Sequence, residues 1–253
     1  MPDKLLQIEE LTVSFDGFKA LSDVHFSIEP LSIKVLIGPN GAGKSTLCDC
    51  IIGKVRPATG KIIYKGKDIS RAPEYRINQA GICRKFQAPG VLERLSVFDN
   101  LAVATRQNRS WQQNFRLNLS KPEKDRIEET LELVGLEKRR NLQASYLAHG
   151  EKQWLEIGMV VSQNPDLLLL DEPTAGMTAQ ETAKTAELIR KLVEKHTVLV
   201  IDHDMTFVEL LKAPVTVLNQ GQVLKEGSME EVRSDPEVIS VYLGRAHEEP
   251  IHA

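Results

Sequence analysis

The chain has 253 residues, a formal net charge of -3 and 42% hydrophobic residues. That length suits one large α/β domain or two small lobes with a buried core, and the mild acidity excludes the basic field of a general nucleic-acid binder. Three cysteines, Cys48, Cys50 and Cys83, are too few and odd in number for a disulfide framework and point to a reducing compartment.

Cys48-Asp49-Cys50 is a C-x-C spacing with no second pair and no nearby histidine, so both thiols read as small residues of one helix and not as metal ligands. Met1-Pro2-Asp3-Lys4 leads into an alternating segment instead of an apolar signal region. The apolar run Leu167–Leu170, flanked by Asp166 and Asp171, falls far short of the ~20 residues of a membrane span. The expectation is a soluble, cytoplasmic protein whose membrane role comes through a partner.

In chain order, Leu5, Leu6, Ile8, Leu11, Val13 and Phe15 form a strand up to a turn at Asp16-Gly17. Val24, Phe26 and Ile28 alternate again, as in a half-exposed antiparallel pair. Ser32–Ile37 is a strand ending in Gly38, the pattern is helical from Lys44 to about Gly53, and Lys61–Tyr64 is a short strand. From about Ala88 to Ala148 the periodicity is helical, with little strand signal. Ser96-Val97-Phe98-Asp99 has the form of a capping box, continued by Leu101, Val103 and Ala104. The polar segment Arg106–Leu119, with Trp111 and Phe115, reads as a loop or a frayed helix. Ser120-Lys121-Pro122-Glu123 is a second box, with proline early in the helix where its missing N–H does no harm. Ile127, Leu131 and Val134 follow at helical spacing up to Gly135, and Lys138-Arg139-Arg140 reads as a solvated helix end. This block has the character of a helical lobe inserted into an α/β core.

Beyond it, Leu167–Leu170 is apolar throughout, as in a central parallel strand. Thr178–Glu194 is helical, Thr197–Ile201 is a buried strand and Met205–Leu211 a short helix. Val215–Leu218 and Gln222–Lys225 flank Gln220-Gly221 as a hairpin, Ser228 caps a helix, and Asp235–Leu243 is a last short helix. His247–Ala253 reads as a loose tail.

Three motifs carry chemistry. Gly38-Pro39-Asn40-Gly41-Ala42-Gly43-Lys44-Ser45 fits G-x-x-x-x-G-K-[ST], follows an apolar strand and opens a helix. Its glycines let backbone N–H groups curl around phosphates, Lys44 meets the β and γ oxygens, and Ser45 offers a hydroxyl to Mg²⁺. Leu167–Leu170 then ends in Asp171 and Glu172, which suits metal-assisted phosphoryl transfer: Asp171 for the metal, Glu172 as general base toward water. Leu147-Ala148-His149-Gly150-Glu151 leads into a helix from Lys152.

In this order the motifs resemble the ABC ATPase family over nearly the whole chain. The resemblance makes Gly38–Ser45 the Walker A loop, with Thr46 beside it, and Gln87 the Q-loop glutamine. It makes Leu147–Glu151 the signature, Leu167–Glu172 Walker B, Ala175–Thr178 the D-loop and His203 the H-loop histidine. Phe15 stands where the family has an aromatic that stacks on adenine. The implied fold is a P-loop α/β cassette with a RecA-like mixed-sheet core, an N-terminal antiparallel β-subdomain and an inserted α-helical subdomain. Its expected division is 1–87 and 150–245 for the core with its β-subdomain, 88–149 for the helical part with the signature, and 246–253 for the tail.

The resemblance further implies ATP and Mg²⁺ as ligands, with Ser45, Gln87 and Asp171 on the metal and Glu172, His203 and Gln87 in catalysis. Ala148, His149 and Gly150 would close the ATP site of a second ATPase subunit, alike or different in sequence. Transmembrane permease subunits, and indirectly a solute-binding protein, would be the other partners, with no nucleic acid. The chain would then sit on the cytoplasmic side of the inner membrane.

Two departures narrow the resemblance. The family's common signature, L-S-G-G-Q, reads Leu-Ala-His-Gly-Glu here, so Ala148 has no hydroxyl for the γ-phosphate, and His149 either replaces that donor or only fills the space of a glycine. Thr178 stands in place of the D-loop aspartate. With Lys152–Met159 these features resemble the ATPases of urea and branched-chain amino acid importers, and Val241-Tyr242-Leu243-Gly244-Arg245 resembles the urea branch most. The alternative is a soluble non-transport ABC ATPase or regulator.

Overall fold

The strands Leu167–Asp171 and Thr197–Ile201 are buried at every position. A sheet built on such strands needs cover on both faces, because successive side chains point to opposite sides. The computed structural model describes residues 4–85, 90–106 and 119–243, and within them both covers are present. Leu168, Leu170, Val198 and Val200 pack into one core with the helices, whereas Leu167, Leu169, Leu199 and Ile201 pack into a second with Leu47, Ile51 and an antiparallel sheet.

That antiparallel sheet has the order β2-β1-β4-β5, from β1 (Leu6–Phe15), β2 (Phe18–Ile28), β4 (Thr59–Tyr64) and β5 (Lys67–Asp68). Phe15 pairs with Phe18 across the turn, where Asp16 (φ 47) and Gly17 (φ 89) both turn left-handed, as a two-residue hairpin requires. The central sheet has the order β10-β9-β3-β8-β7-β6. Its strands are β3 (Ile33–Ile37), β6 (Ile82–Arg84), β7 (Leu167–Asp171), β8 (Thr197–Ile201), β9 (Val215–Asn219) and β10 (Gln222–Gly227). All neighbours are parallel except β10, which runs antiparallel to β9. This is the expected mixed-sheet α/β architecture with a separate antiparallel sheet.

The helices are α1 (Lys44–Ile51), α2 (Glu74–Gln79), α3 (Val97–Arg106), α4 (Lys121–Val134), α5 (His149–Val161), α6 (Ala179–Leu192), α7 (Met205–Leu211), α8 (Met229–Ser234) and α9 (Pro236–Leu243). Helices α3 and α4 start directly after the expected caps Ser96 and Ser120. The Asp99 N–H donates to Ser96 Oγ at 3.0 Å, and the Ser120 N–H donates to Glu123 Oε2 at 2.7 Å. Helices α3, α4 and α5 pack on one another, with Leu101, Ile127, Leu131, Leu155 and Ile157 in one core.

Helix α5 starts at His149 and not at Lys152. The Ala148 N–H donates to Glu151 Oε2 at 3.0 Å, which satisfies a group the extra turn would otherwise orphan. The expected division between 149 and 150 therefore cuts a helix that packs with the helical lobe. The short elements β5, α2 and β6, too brief for periodicity, had no sequence expectation. Gln87, residues 107–118 of the segment Arg106–Leu119 read as loop or frayed helix, and the tail His247–Ala253 lie outside the described residues.

Cys48 and Cys50 are buried on α1, as expected of small helix residues, and all three cysteines are free. Burial pushes the Cys48 and Cys50 thiols up to about 12, so they behave as neutral apolar groups. In the basic cluster, Arg139 pairs with Glu151 and Arg140 with Glu128. Among the described residues no helix is long and apolar enough to cross a membrane.

Candidate nucleotide site

β3 carries the chain out of the core into Gly38, whose φ is 153°. A Cβ there would lie 2.2 Å from the Leu218 carbonyl oxygen of β9, so only glycine lets the loop leave the sheet at this point. The loop is held from both sides: the Ala42 N–H donates to Pro39 O at 3.1 Å, and the Gly221 N–H of the β9–β10 hairpin donates to Ala42 O at 3.0 Å. The Tyr242 hydroxyl of α9 is buried beside Gly38, which brings the C-terminal helix to the same loop.

Gly43 caps α1 through its backbone alone, and no acidic residue stands in the first turn. No side chain of its own offsets the positive end of the helix, the arrangement that binds phosphate. Lys44 Nζ donates to Gly38 O at 2.6 Å and Pro39 O at 3.0 Å, which folds the ammonium over the mouth of the loop. Ser45 and Thr46 follow in the first turn of α1.

The second half of the site comes from the ends of β7 and β8. Glu172 turns left-handed (φ 45°) directly after the buried Asp171, and its N–H donates to Ile201 O at 2.8 Å. His203 Nδ1 lies 3.5 Å from Glu172 Oε1, so the candidate base and the candidate γ-phosphate contact meet. Asp202, 2% exposed, holds this corner. Its Oδ1 accepts from the backbone N–H groups of His203 at 2.7 Å and Asp204 at 3.0 Å, and its Oδ2 accepts from the Thr174 hydroxyl at 3.0 Å.

Arg84 on β6 was absent from the sequence expectations. Its guanidinium donates to Asp171 Oδ2 at 2.6 Å and to Asp49 Oδ1 at 2.6 Å. Burial opposes its charge, but the bond to Asp171 and the surrounding acidic groups outweigh burial and hold the guanidinium above its ordinary range. Next to it, buried Lys85 donates to Gln153 and lies 3.3 Å from Glu156, both on α5. Burial pulls the Lys85 ammonium below its ordinary range, partly offset by Glu156. Lys85, directly after β6, is thus tied to α5. The signal for Arg84 and Asp49 was a charge inside an apolar strand and an apolar helix; for Asp202 it was a carboxylate directly after a buried strand.

At the start of α5, Ala148 and His149 are exposed. His149 Nε2 lies 2.9 Å from Ala175 O, so this nitrogen carries the proton and donates within its own chain. Of the two sequence readings of His149, the structure supplies a third: it pins the signature to the D-loop. Gly150 is buried against Glu181, where a Cβ would lie 2.3 Å from the carboxylate. Thr178 caps α6, its N–H donating to Glu181 Oε2 at 2.9 Å, which gives the threonine at the D-loop aspartate position a structural use. Phe15 is 46% exposed at the end of β1, beside the more exposed Phe18.

Among the described residues no cluster of three His, Cys, Asp or Glu could hold a metal by itself. Ser45 and Asp171 supply only oxygen donors, which fits a hard cation that completes its shell with phosphate and water.

The class follows from topology as much as from side chains. A P-loop core that carries its own antiparallel sheet, with a helical lobe set between its first half and its second carboxylate strand, is an ATP-binding cassette. The chain belongs to the ABC transporter family, whose model matches residues 21–175, and it is an ATPase of that family. A second model, described as branched-chain amino acid ATP-binding cassette transporter, matches residues 222–248.

Relatives extend over the whole chain. The high-affinity branched-chain amino acid transport ATP-binding protein LivG of Escherichia coli K12 is 36% identical, covering 97% of this chain and 100% of that protein. BraF of Pseudomonas aeruginosa, with the same description, is 36% identical with the same coverage. The cassette MJ1267 in its ADP conformation superimposes with a TM-score of 0.86 at 27% identity, covering 96% of this chain and 99% of that one. A nucleotide-free cassette of an ABC transporter gives 0.84 at 27% identity, covering 95% and 99%.

Proposed function

We propose that this chain is the ATP-hydrolysing subunit of an importer for branched-chain amino acids or closely related small solutes. The observation that carries the solute is the match over residues 222–248, the segment whose Tyr242 reaches Gly38. The urea branch, preferred from sequence, has no support among these relatives.

In this reading Gly38–Gly43, Lys44, Ser45 and Thr46 bind the phosphates, with the backbone N–H groups of α1 and the Lys44 ammonium spreading the charge. Phe15 stacks on adenine. Ser45 and Asp171 hold Mg²⁺, with Gln87 at the same ion; when bound, the cation neutralises phosphate charge. Glu172 takes the proton of the attacking water as its oxygen bonds to the γ-phosphorus and the β–γ bridge breaks. His203, fixed through Asp202, faces the γ-phosphate and orients Glu172. Ala148, His149 and Gly150 of a facing ATPase subunit, alike or different, complete the site.

Of the expected division, 1–87 and 150–245 for the catalytic part and 88–149 for the helical part, we keep all but the boundary at 149, because helix α5 carries the helical part on to Val161. Transmembrane permeases fed by a solute-binding protein are the remaining partners. The chain then works on the cytoplasmic side of the inner membrane, held there by the permeases.

The test is uptake in a strain lacking this gene. Loss of labelled leucine uptake with urea uptake intact is the expected result; loss of urea uptake alone overturns the solute assignment. Steady phosphate release by the purified protein, lost on Lys44→Ala, checks the ATPase step.

A further inference from the structure

We infer that Arg84 is a positioning residue for Mg²⁺-nucleotide binding: it bolts the P-loop helix to the strand that carries Asp171 and so fixes the two oxygen donors, Ser45 and Asp171, relative to each other. Ser45 and Asp49 stand one helical turn apart on α1, so they share a face. Arg84 on β6 grips Asp49 at 2.6 Å with one nitrogen and Asp171 at 2.6 Å with the other. The arginine and the two carboxylates together set the spacing between the turn that bears Ser45 and the end of β7.

The fork has a defined handedness of use. It engages Oδ2 of Asp171, and among the described residues no hydrogen bond engages Oδ1. The bond to Oδ2 restrains rotation of the carboxylate and favours one direction for Oδ1. Arg84 and Asp171 side chains are 10% and 6% exposed, so water does not compete for the bond. The charges also balance in a useful way. One guanidinium against two carboxylates leaves these three side chains with one net negative charge, while neighbouring Lys85, which also feels Asp171, is paired with Glu156. The adjacent Cys48 thiol stays neutral through burial and adds nothing to this sum. Arginine's planar fork presents two nitrogens in fixed directions to the two carboxylates, whereas the lysine ammonium is a compact point charge without that fixed geometry.

This inference rests on Asp171 facing the metal in the proposed site. The experiment measures the affinity for ADP by equilibrium dialysis, with excess Mg²⁺ and with EDTA, in the full-length wild type, Arg84→Lys, Arg84→Gln and Asp171→Asn. The ratio of the two affinities reports what Mg²⁺ adds, without any turnover. For Arg84→Lys, which keeps the buried charge, the ratio is expected to fall at least threefold, with the EDTA affinity within twofold of wild type. Arg84→Gln should lower it further, and if that variant does not fold by circular dichroism, Arg84→Lys alone decides. An unchanged ratio in Arg84→Lys, or an equal fall in both affinities, overturns the inference, since the second pattern is that of mere support for the P-loop. Asp171→Asn separates the two readings. A lost ratio there with a retained ratio in Arg84→Lys defeats the role of Arg84 alone, whereas a retained ratio in Asp171→Asn defeats the placement of the metal beside Asp171.

Discussion

Replacing Ala148 by serine should stabilise the protein. Ala148 occupies the N-cap of α5 with φ -62° and ψ 161°, almost the backbone of the caps Ser120, Thr178 and Ser228. Half of a capping box already exists, because the Ala148 N–H donates to Glu151 Oε2 at 3.0 Å. What is missing is an oxygen to accept from the Glu151 N–H. Supplying a capping oxygen where alanine stood gains about 0.5–2 kcal/mol. The comparable bonds in this chain measure 3.0 Å to Ser96, 3.3 Å to Ser228 and 3.4 Å to Thr178, and the position is exposed, which sets the expectation near the middle of that range. About 1 kcal/mol corresponds to a rise of roughly 2–4 °C in Tm for a chain of this size. Thermal unfolding of the nucleotide-free wild type, Ala148→Ser, Ala148→Thr and Ala148→Val gives the answer. Threonine and valine share a shape, so their difference isolates the hydroxyl. If serine and threonine melt no higher than wild type and valine, the capping argument is refuted.

Glu172→Gln should cut steady phosphate release at least about a hundredfold, the low end of general-base contributions, while MgATP still binds. The same variant should sediment as a dimer with MgATP, and monomer alone would count against a facing subunit of the same sequence. Asp202→Ala removes the acceptor for two backbone N–H groups and the Thr174 hydroxyl in a buried corner. Urea unfolding should show a loss of about 3 kcal/mol, with Asp202→Asn losing less because its carbonyl still accepts. Gly38→Ala puts a Cβ 2.2 Å from a backbone oxygen, whereas Gly41→Ala meets nothing within 4 Å and carries only left-handed strain. Gly41→Ala should cost about 1–2 kcal/mol and Gly38→Ala clearly more, by the same urea measurement. Equal losses would show that the loop relaxes around residue 38.

The parts of the molecule legible in sequence were those where one local rule decides. Leu167–Leu170 reads as a central strand because a strand covered on both faces must be apolar at every position. Ser96, Ser120 and Ser228 mark helix starts because a short oxygen side chain can satisfy an N–H within three residues. The P-loop is legible because its glycines, lysine and serine act within one turn of backbone. Where two local rules compete, sequence misplaces the boundary: α5 begins at His149 because Glu151 reaches back to a cap that has no oxygen of its own.

By itself, then, the sequence determined the longer elements, the phosphate loop and the carboxylate pair at the end of β7, all set by contacts of a few residues. Only the tertiary structure decided what those residues touch. His149 was ambiguous until its imidazole was found on Ala175 O, a carbonyl that neighbours it only because α5 packs beside the turn into α6. Arg84 had no role in the sequence reading, and the register of β6 against β7 sets its guanidinium between Asp49 and Asp171. The physical reason is common to both. A hydrogen bond or ion pair acts over about 3 Å in space, and distance along the chain carries no record of which distant elements the two apolar cores press together.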